Sequence, residues 1–187
     1  DWLDYNGKDF PNGMKTVADA VHREGYLAGI WLAPFNVQRG KSRILKEHPD
    51  WIIRTPEGKP QIGCIGWGGA YTLDIYNPEV REHLKNVFDT VLNDWGYDMV
   101  KLDFLYSQCR TPRNNKTRGT IMCEAMDFLR ECVGDKIILG CGVPLGPAFG
   151  VVDACRISCD VDLTYGGKFY NSMSINNELP SAQNAIN

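Results

Sequence analysis

The chain has 187 residues, 43% of them hydrophobic and 23% charged, with a formal net charge of −3. This is globular composition, long enough for one domain with a real core, and it excludes wholesale disorder. There is no Lys/Arg run to form an electrostatic footprint for nucleic acid. Nor does any apolar stretch approach the roughly 18 residues of a membrane helix.

The first ten residues, DWLDYNGKDF, lack the basic start and apolar middle of a signal peptide. Asn12 to Glu24 reads as a helix, with Val17, Ala20, Val21 and Met14 at helical spacing and Gly25 as its stop. Tyr26 to Leu32 (YLAGIWL) reads as a short buried strand ended by Pro34. Ser42 to His48 reads as a short helix closed by Pro49. Residues 54–70 are rich in Gly and Pro and predict a long loop or hairpin insertion, a kind of segment that is usually functional in compact domains.

The clearest helix follows. Asn77 is its cap, Pro78 suits its first turn, and Glu79 complements the dipole. Val80, Leu84, Val87, Phe88, Val91 and Leu92 form its apolar stripe. Tyr97 to Phe104 (YDMVKLDF) predicts a strand, Thr117 to Cys132 an amphipathic helix, and Lys136 to Cys141 another strand. Val152 to Val161 contains a further strand, and the Asn-rich tail from Gly166 has no clear assignment.

Strands alternating with helices imply parallel pairing and an α/β architecture. About four strand–helix units are visible. A (β/α)8 barrel typically needs about 250 residues, so this chain holds roughly half of one. A complete small doubly wound sheet is the competing fold.

The seven cysteines (Cys64, Cys109, Cys123, Cys132, Cys141, Cys155 and Cys159) are odd in number and scattered. They read as free thiols of a reducing compartment, which leans cytoplasmic. Cys155 and Cys159 lie four apart, but within a run (ACRISCDV) that reads as strand with no His nearby, so zinc is not expected.

Side chains alternate between the faces of a strand. In YDMVKLDF, Met99, Lys101 and Asp103 share one face, while Val100, Leu102 and Phe104 share the apolar other. In CRISCDV the same rule groups Arg156, Ser158 and Asp160. Each strand thus places a cation and then an Asp on one face, with the Asp nearer the C-terminal end. Three readings stand: two buried salt bridges, a metal or phosphate site, or the catalytic mouth of a barrel. Two Asp residues brought together suit glycoside hydrolysis, one as nucleophile and one as acid.

These residues carry a resemblance. In order along the chain stand FPNGMKTVADAVHREGYLAGIWLAPF, KEHPDW, TLDIYNPEVREHL, YDMVKLDF and LGCGVPLGPAFGVVDACRISCDV. With that order and spacing, the chain resembles the catalytic domain of α-galactosidases (melibiases) of glycoside hydrolase family 36, clan D. The resemblance implies a retaining hydrolase that acts on terminal α-galactosyl groups through a covalent glycosyl-enzyme intermediate. It implies Asp103 as nucleophile at the end of the fourth barrel strand and Asp160 as acid/base after the sixth. Lys101 and Arg156 would bind sugar hydroxyls, Trp31 would stand near the sugar, and Cys141, with Gly142, would line the pocket.

Lys101 beside Asp103 would favour its ionised form, as a nucleophile requires. Asp160 needs a desolvated or carboxylate-rich setting to hold its proton, and Arg156 nearby would oppose that, so Arg156 is expected to point at the sugar. The segments match strands three to six, so residues 1–187 are expected to form one partial barrel domain without a second domain, as a fragment of a longer protein. Alone, such a fragment would fold poorly or dimerise; the full-length protein allows a homo-oligomer.

The family often carries an Arg before the LDL-like segment. This chain has none there, and Trp67 is either its substitute in the pocket wall or a packing anchor. Small carbohydrates (α-galactosides) are the expected partners, with no nucleic acid, no membrane and no metal or organic cofactor.

The alternatives are an α-galactosyl transglycosylase resembling raffinose or stachyose synthases, a metal-dependent barrel lyase using Lys101 as base, and a non-catalytic sugar-binding remnant. His22 and His83 on their helices read as solvated or capping groups, His48 as structural, and Asp74 and Asp98 as strand-end or turn carboxylates. Tyr106, Ser107 and Gln108 either reach substrate or pack.

Overall fold

The computed structural model describes residues 2–40, 42–65 and 69–157. The chain divides into two compact units, Asp1–Cys155 and Arg156–Asn187. Of the second unit only Arg156, half-buried, and Ile157, exposed, are described.

Helix α1 (Gly13–Arg23) buries Ala18 and leads into strand β1 (Gly29–Leu32). The strand is shorter than the apolar run predicts. Tyr26 and Leu27 lie before it and are 71% and 67% exposed, while Asp98 Oδ2 accepts the amide of Ala28 (3.0 Å) at the strand's entry.

Strand β5 (Met99–Leu102), helix α4 (Arg118–Val133), strand β6 (Ile137–Gly140), helix α5 (Leu145–Ala148) and strand β7 (Ala154–Cys155) follow the same alternating plan. The sheet order is β1-β5-β6-β7, all pairs parallel. In register, Trp31 stands beside Lys101, which stands beside Leu139. Val100, Leu102 and Ile138 are fully buried, whereas Met99, Lys101 and Leu139 are half-buried, so alternation sorts the faces as the pleat requires.

Helix α3 (Pro78–Asp89) begins as its sequence predicts: Asn77 Oδ1 accepts the amide of Glu79 (2.9 Å), and Pro78 occupies the first turn. Thr90–Asp94 continues it as a π-helical turn. Val80, Leu84, Val87, Phe88 and Val91 are fully buried, and the α4 residues Met122, Met126, Phe128 and Leu129 join them in one core with Val100, Leu102 and Ile138. Each such side chain stabilises the fold by about 1.5–3 kcal/mol relative to exposure.

Within the segment predicted as a loop or hairpin the hairpin alternative holds, and an earlier strand joins it. Strands β2 (Asn36–Gln38), β3 (Ile62–Cys64) and β4 (Ala70–Thr72) form a second, antiparallel sheet in the order β2-β4-β3. Pro34 ends β1, but the chain re-enters a strand two residues later. Between the strands lie helix α2 (Ile44–Glu47) and a 3-10 turn, Pro49–Trp51, where His48 stacks on Trp51 at 4.0 Å between ring centres.

Charged groups tie the parallel strands at their N-terminal ends. Asp98 accepts the Ala28 amide, meets His22 Nε2 at 2.6 Å and pairs with Lys136 at 3.2 Å. Burial works to raise the pKa of Asp98, but these hydrogen bonds outweigh it and hold the carboxyl below its ordinary range. Asp153 repeats the device between β6 and β7. Its Oδ2 accepts the amide of Ile138 (2.8 Å) and pairs with Arg130 (2.8 Å), which lowers its pKa. His22 and Asp98, expected as a solvated or capping histidine and a strand-end or turn carboxylate without special role, are therefore partners.

Candidate active site

The opposite, C-terminal ends of the strands hold the polar residues singled out in the sequence. Asp103 follows directly on β5. Its amide donates to Leu32 O (2.9 Å) at the end of β1, and the Cys141 amide donates to Leu102 O (2.8 Å) at the end of β6. Three strand ends are thus stitched together around one residue.

Asp103 is 7% exposed, and each carboxylate oxygen has a donor. The indole N–H of Trp31 donates to Oδ2 at 3.1 Å, and the amide of Phe104 donates to Oδ1 at 2.7 Å. Trp31 is 37% exposed, so it forms the accessible side of the carboxylate's surroundings. Trp2 packs edge-on against it at 5.7 Å.

The reading of Lys101 and Asp103 as a buried salt bridge is not what the structure shows. Among the described residues the two make no ion pair, and the carboxylate is satisfied by neutral N–H donors instead. Lys101 is half-buried beside Trp31 on the same face of the sheet.

Phe104 was expected on the apolar face of the strand. It has left the strand: its φ is 52°, in the left-handed region, and it is only half-buried. A short 3-10 segment, Leu105–Cys109, follows. Gly142 packs against this turn, with a φ of 58°. A Cβ there would stand 3.2 Å from Phe104 N and 3.3 Å from its Cα, so only glycine fits comfortably. The Tyr106 amide donates to Gly142 O at 2.7 Å. Cys141 lies at the same strand end with its side chain fully buried.

The small sheet is the floor under this turn. Asn36 on β2 is 1% exposed, and its Nδ2 lies 3.4 Å from both Phe104 O and Ser107 Oγ. Gln61 donates to Ser107 O (2.8 Å), and Gln108 donates to Leu73 O (2.5 Å) while accepting from Arg113 (2.7 Å). Ser107 and Gln108 are fully buried in these bonds and pack within the turn. Tyr106 is half-buried, with its hydroxyl pKa raised by burial.

Trp31, Lys101 and Asp103 are therefore brought together, with Cys141 and Gly142 at the adjoining strand end. Arg156 belongs to the second unit, and Asp160 and Trp67 lie outside the described residues. The sequence reading missed Asn36 and Gln61. The visible signal was a single amide between Phe35 and Val37 in the run WLAPFNV.

Chemically, the arrangement presents a largely buried carboxylate, held by two N–H donors, at the mouth of a parallel sheet. The ends of the neighbouring strands, Leu32–Ala33 and Gly140–Cys141–Gly142, offer no further carboxylate. Among the described residues, no group of three His, Cys, Asp or Glu side chains is placed to hold a metal ion.

The fold is that of an α/β protein in which the largely buried carboxylate of Asp103 sits at the C-terminal ends of parallel strands. The chain belongs to the melibiase family, whose model matches residues 1–125. It is 34% identical over 103 residues to the α-galactosidase Mel36A of Lactobacillus acidophilus, covering 55% of this chain and 13% of that protein. The structure of TtGalA, an α-galactosidase from Thermus thermophilus, matches with a TM-score of 0.83 at 32% identity, over 94% of this chain and 38% of that one. The galactosidase domain of the α-galactosidase/sucrose kinase AgaSK from Mediterraneibacter gnavus matches at 0.54 and 26%, over 75% and 19%. The chain thus spans well under two thirds of the length of each of these relatives.

Proposed function

We propose that this chain is the nucleophile-bearing part of a retaining α-galactosidase, with β1, β5, β6 and β7 as strands three to six of a (β/α)8 barrel. The strand order supports the barrel. Each successive parallel strand adds on the same side with no reversal, whereas a doubly wound sheet reverses direction at its ligand crevice. Residues 1–187 are then part of one catalytic domain of a longer protein.

Asp103 is the proposed nucleophile, and the observation that carries this is its fixed carboxylate at the end of β5. In the first step an Asp103 oxygen bonds to the anomeric carbon of a terminal α-galactosyl group as the glycosidic C–O bond breaks. Asp160 gives its proton to the leaving oxygen. In the second step Asp160 takes a proton from water, the water oxygen bonds to the anomeric carbon, and the Asp103 ester bond breaks. Lys101, Arg156, Trp31, Cys141 and Trp67 are the proposed sugar contacts. The substrate class is supported by the Thermus thermophilus α-galactosidase, whose structures hold stachyose and p-nitrophenyl α-D-galactopyranoside.

The test is turnover of p-nitrophenyl α-galactoside against the α-glucoside and α-N-acetylgalactosaminide by the protein that carries this chain. Asp103→Gly should abolish hydrolysis, and azide should restore release of nitrophenol with formation of a β-galactosyl azide. Wild-type turnover by Asp103→Gly would overturn the assignment.

A further inference from the structure

We propose that Asn36 is a positioning residue for Asp103: through the Phe104 carbonyl it holds the left-handed turn that aims the carboxylate. This rests on the reading of Asp103 as nucleophile and extends it to a residue on a different sheet.

Phe104 is a bulky residue at φ 52°. Such a conformation costs roughly 1–2 kcal/mol and persists only where the surroundings over-determine it. The strain has a visible use. In this conformation the Phe104 amide points back at Asp103 Oδ1, 2.7 Å away, so the turn and the carboxylate orient each other.

Two elements hold the turn from opposite sides. From the end of β6, Gly142 fills the space against Phe104 N and Cα, and its carbonyl anchors the Tyr106 amide. From the small sheet, Asn36 Nδ2 reaches Phe104 O and Ser107 Oγ, and the Ser107 amide itself donates to Phe104 O at 3.2 Å. Rotating Phe104 back to a right-handed φ would swing its carbonyl away from Asn36 and its neighbours. Each Asn36 contact is long at 3.4 Å, and the two act together on one side-chain amide.

Asn36 is a costly way to fill this position if packing were its only role. Its Oδ1 is buried among the described residues without a hydrogen-bond donor, and such an orphan costs about 1–3 kcal/mol. The amide cannot usefully turn over, because that would set Oδ1 against Phe104 O. Gly63 on β3 makes the room: a Cβ there would overlap Asn36 Oδ1. A leucine would fill the same volume without the orphan. Buried polar groups that break a stability rule in this way are expected where function demands them.

The experiment uses p-nitrophenyl α-galactoside and the complete protein that carries this chain. Asn36→Leu should leave the thermal midpoint unchanged or raised, lower kcat about tenfold and keep KM within about twofold. In the Asp103→Gly background with azide, Asn36→Leu should leave the rescued rate unchanged, because the carboxylate it positions is gone. Should the Leu variant not fold, Asn36→Ala takes its place, and failure of both to fold overturns the proposal in favour of a purely structural role. An unaltered kcat in Asn36→Leu overturns it. So does a rescued rate that falls as far as the parent rate does. Full turnover by Asp103→Gly alone instead overturns the nucleophile reading, and the positioning role falls with it.

Discussion

The indole of Trp31 and the carboxylate of Asp103 meet at 3.1 Å across two adjacent parallel strands, β1 and β5. The pair is diagonal. Trp31 is in register with Lys101, so its indole crosses past the lysine to reach the residue two positions on. The tryptophan thereby occupies one carboxylate oxygen, and the backbone of Phe104 the other. A carboxylate that is held before substrate arrives has less reorganisation to undergo in the transition state.

Trp31→Phe keeps an aromatic ring and removes the donor. A hydrogen bond to a charged group contributes about 1.5–3 kcal/mol, so turnover of an α-galactoside should fall roughly 10- to 100-fold while the protein stays folded. Steady-state kinetics beside circular dichroism checks this. Unchanged kcat would mean that the indole does not orient the carboxylate during reaction.

Gly142→Ala tests the other wall of the same turn. The added methyl meets the Phe104 backbone at 3.2–3.3 Å in a left-handed conformation that already costs an L-residue roughly 1–2 kcal/mol. The turn should shift, with a drop of about 1–3 kcal/mol in stability and a larger proportional loss of kcat than of folded protein. Chemical denaturation and active-site titration separate the two effects.

Asp98 makes the fold sensitive to acid. Its folded pKa is depressed, because hydrogen bonds from His22, the Ala28 amide and Lys136 outweigh burial. A depressed carboxylate contributes stability that is present above its unfolded pKa of about 3.9 and is lost as pH falls through the lower folded value. Asp98→Asn should therefore destabilise the protein at pH 7 by about 1–2 kcal/mol and flatten the acid limb of its stability curve below about pH 4. Thermal melts of both proteins from pH 7 to pH 3 would show it. Parallel curves would mean that the three partners do not favour the ionised form.

Much of the framework was legible from residue patterns. The stripe from Val80 to Leu92 gave α3 its buried face, and Asn77 caps the helix where the spacing placed it. Period-two alternation in MVKL put Val100 and Leu102 under the helices and Lys101 on the other face. The errors lie at strand ends. Tyr26 and Leu27 are apolar yet stand outside the sheet, and Phe104 has the composition of a strand residue but the backbone of a turn. In both places tertiary hydrogen bonds at the sheet's rim override local propensity.

Alternating apolar segments, helix caps and the Lys101–Asp103 spacing were settled by the sequence, because each depends on residues within a turn or two of one another. Which groups touch Asp103 was settled by folding. Trp31 lies 72 residues away along the chain, and Asn36 lies 68 residues from the Phe104 carbonyl it supports. No periodicity reports such pairs. They form only when β1 docks beside β5 and the small sheet closes beneath the turn, where scarce buried donors and acceptors must find one another or go unpaired.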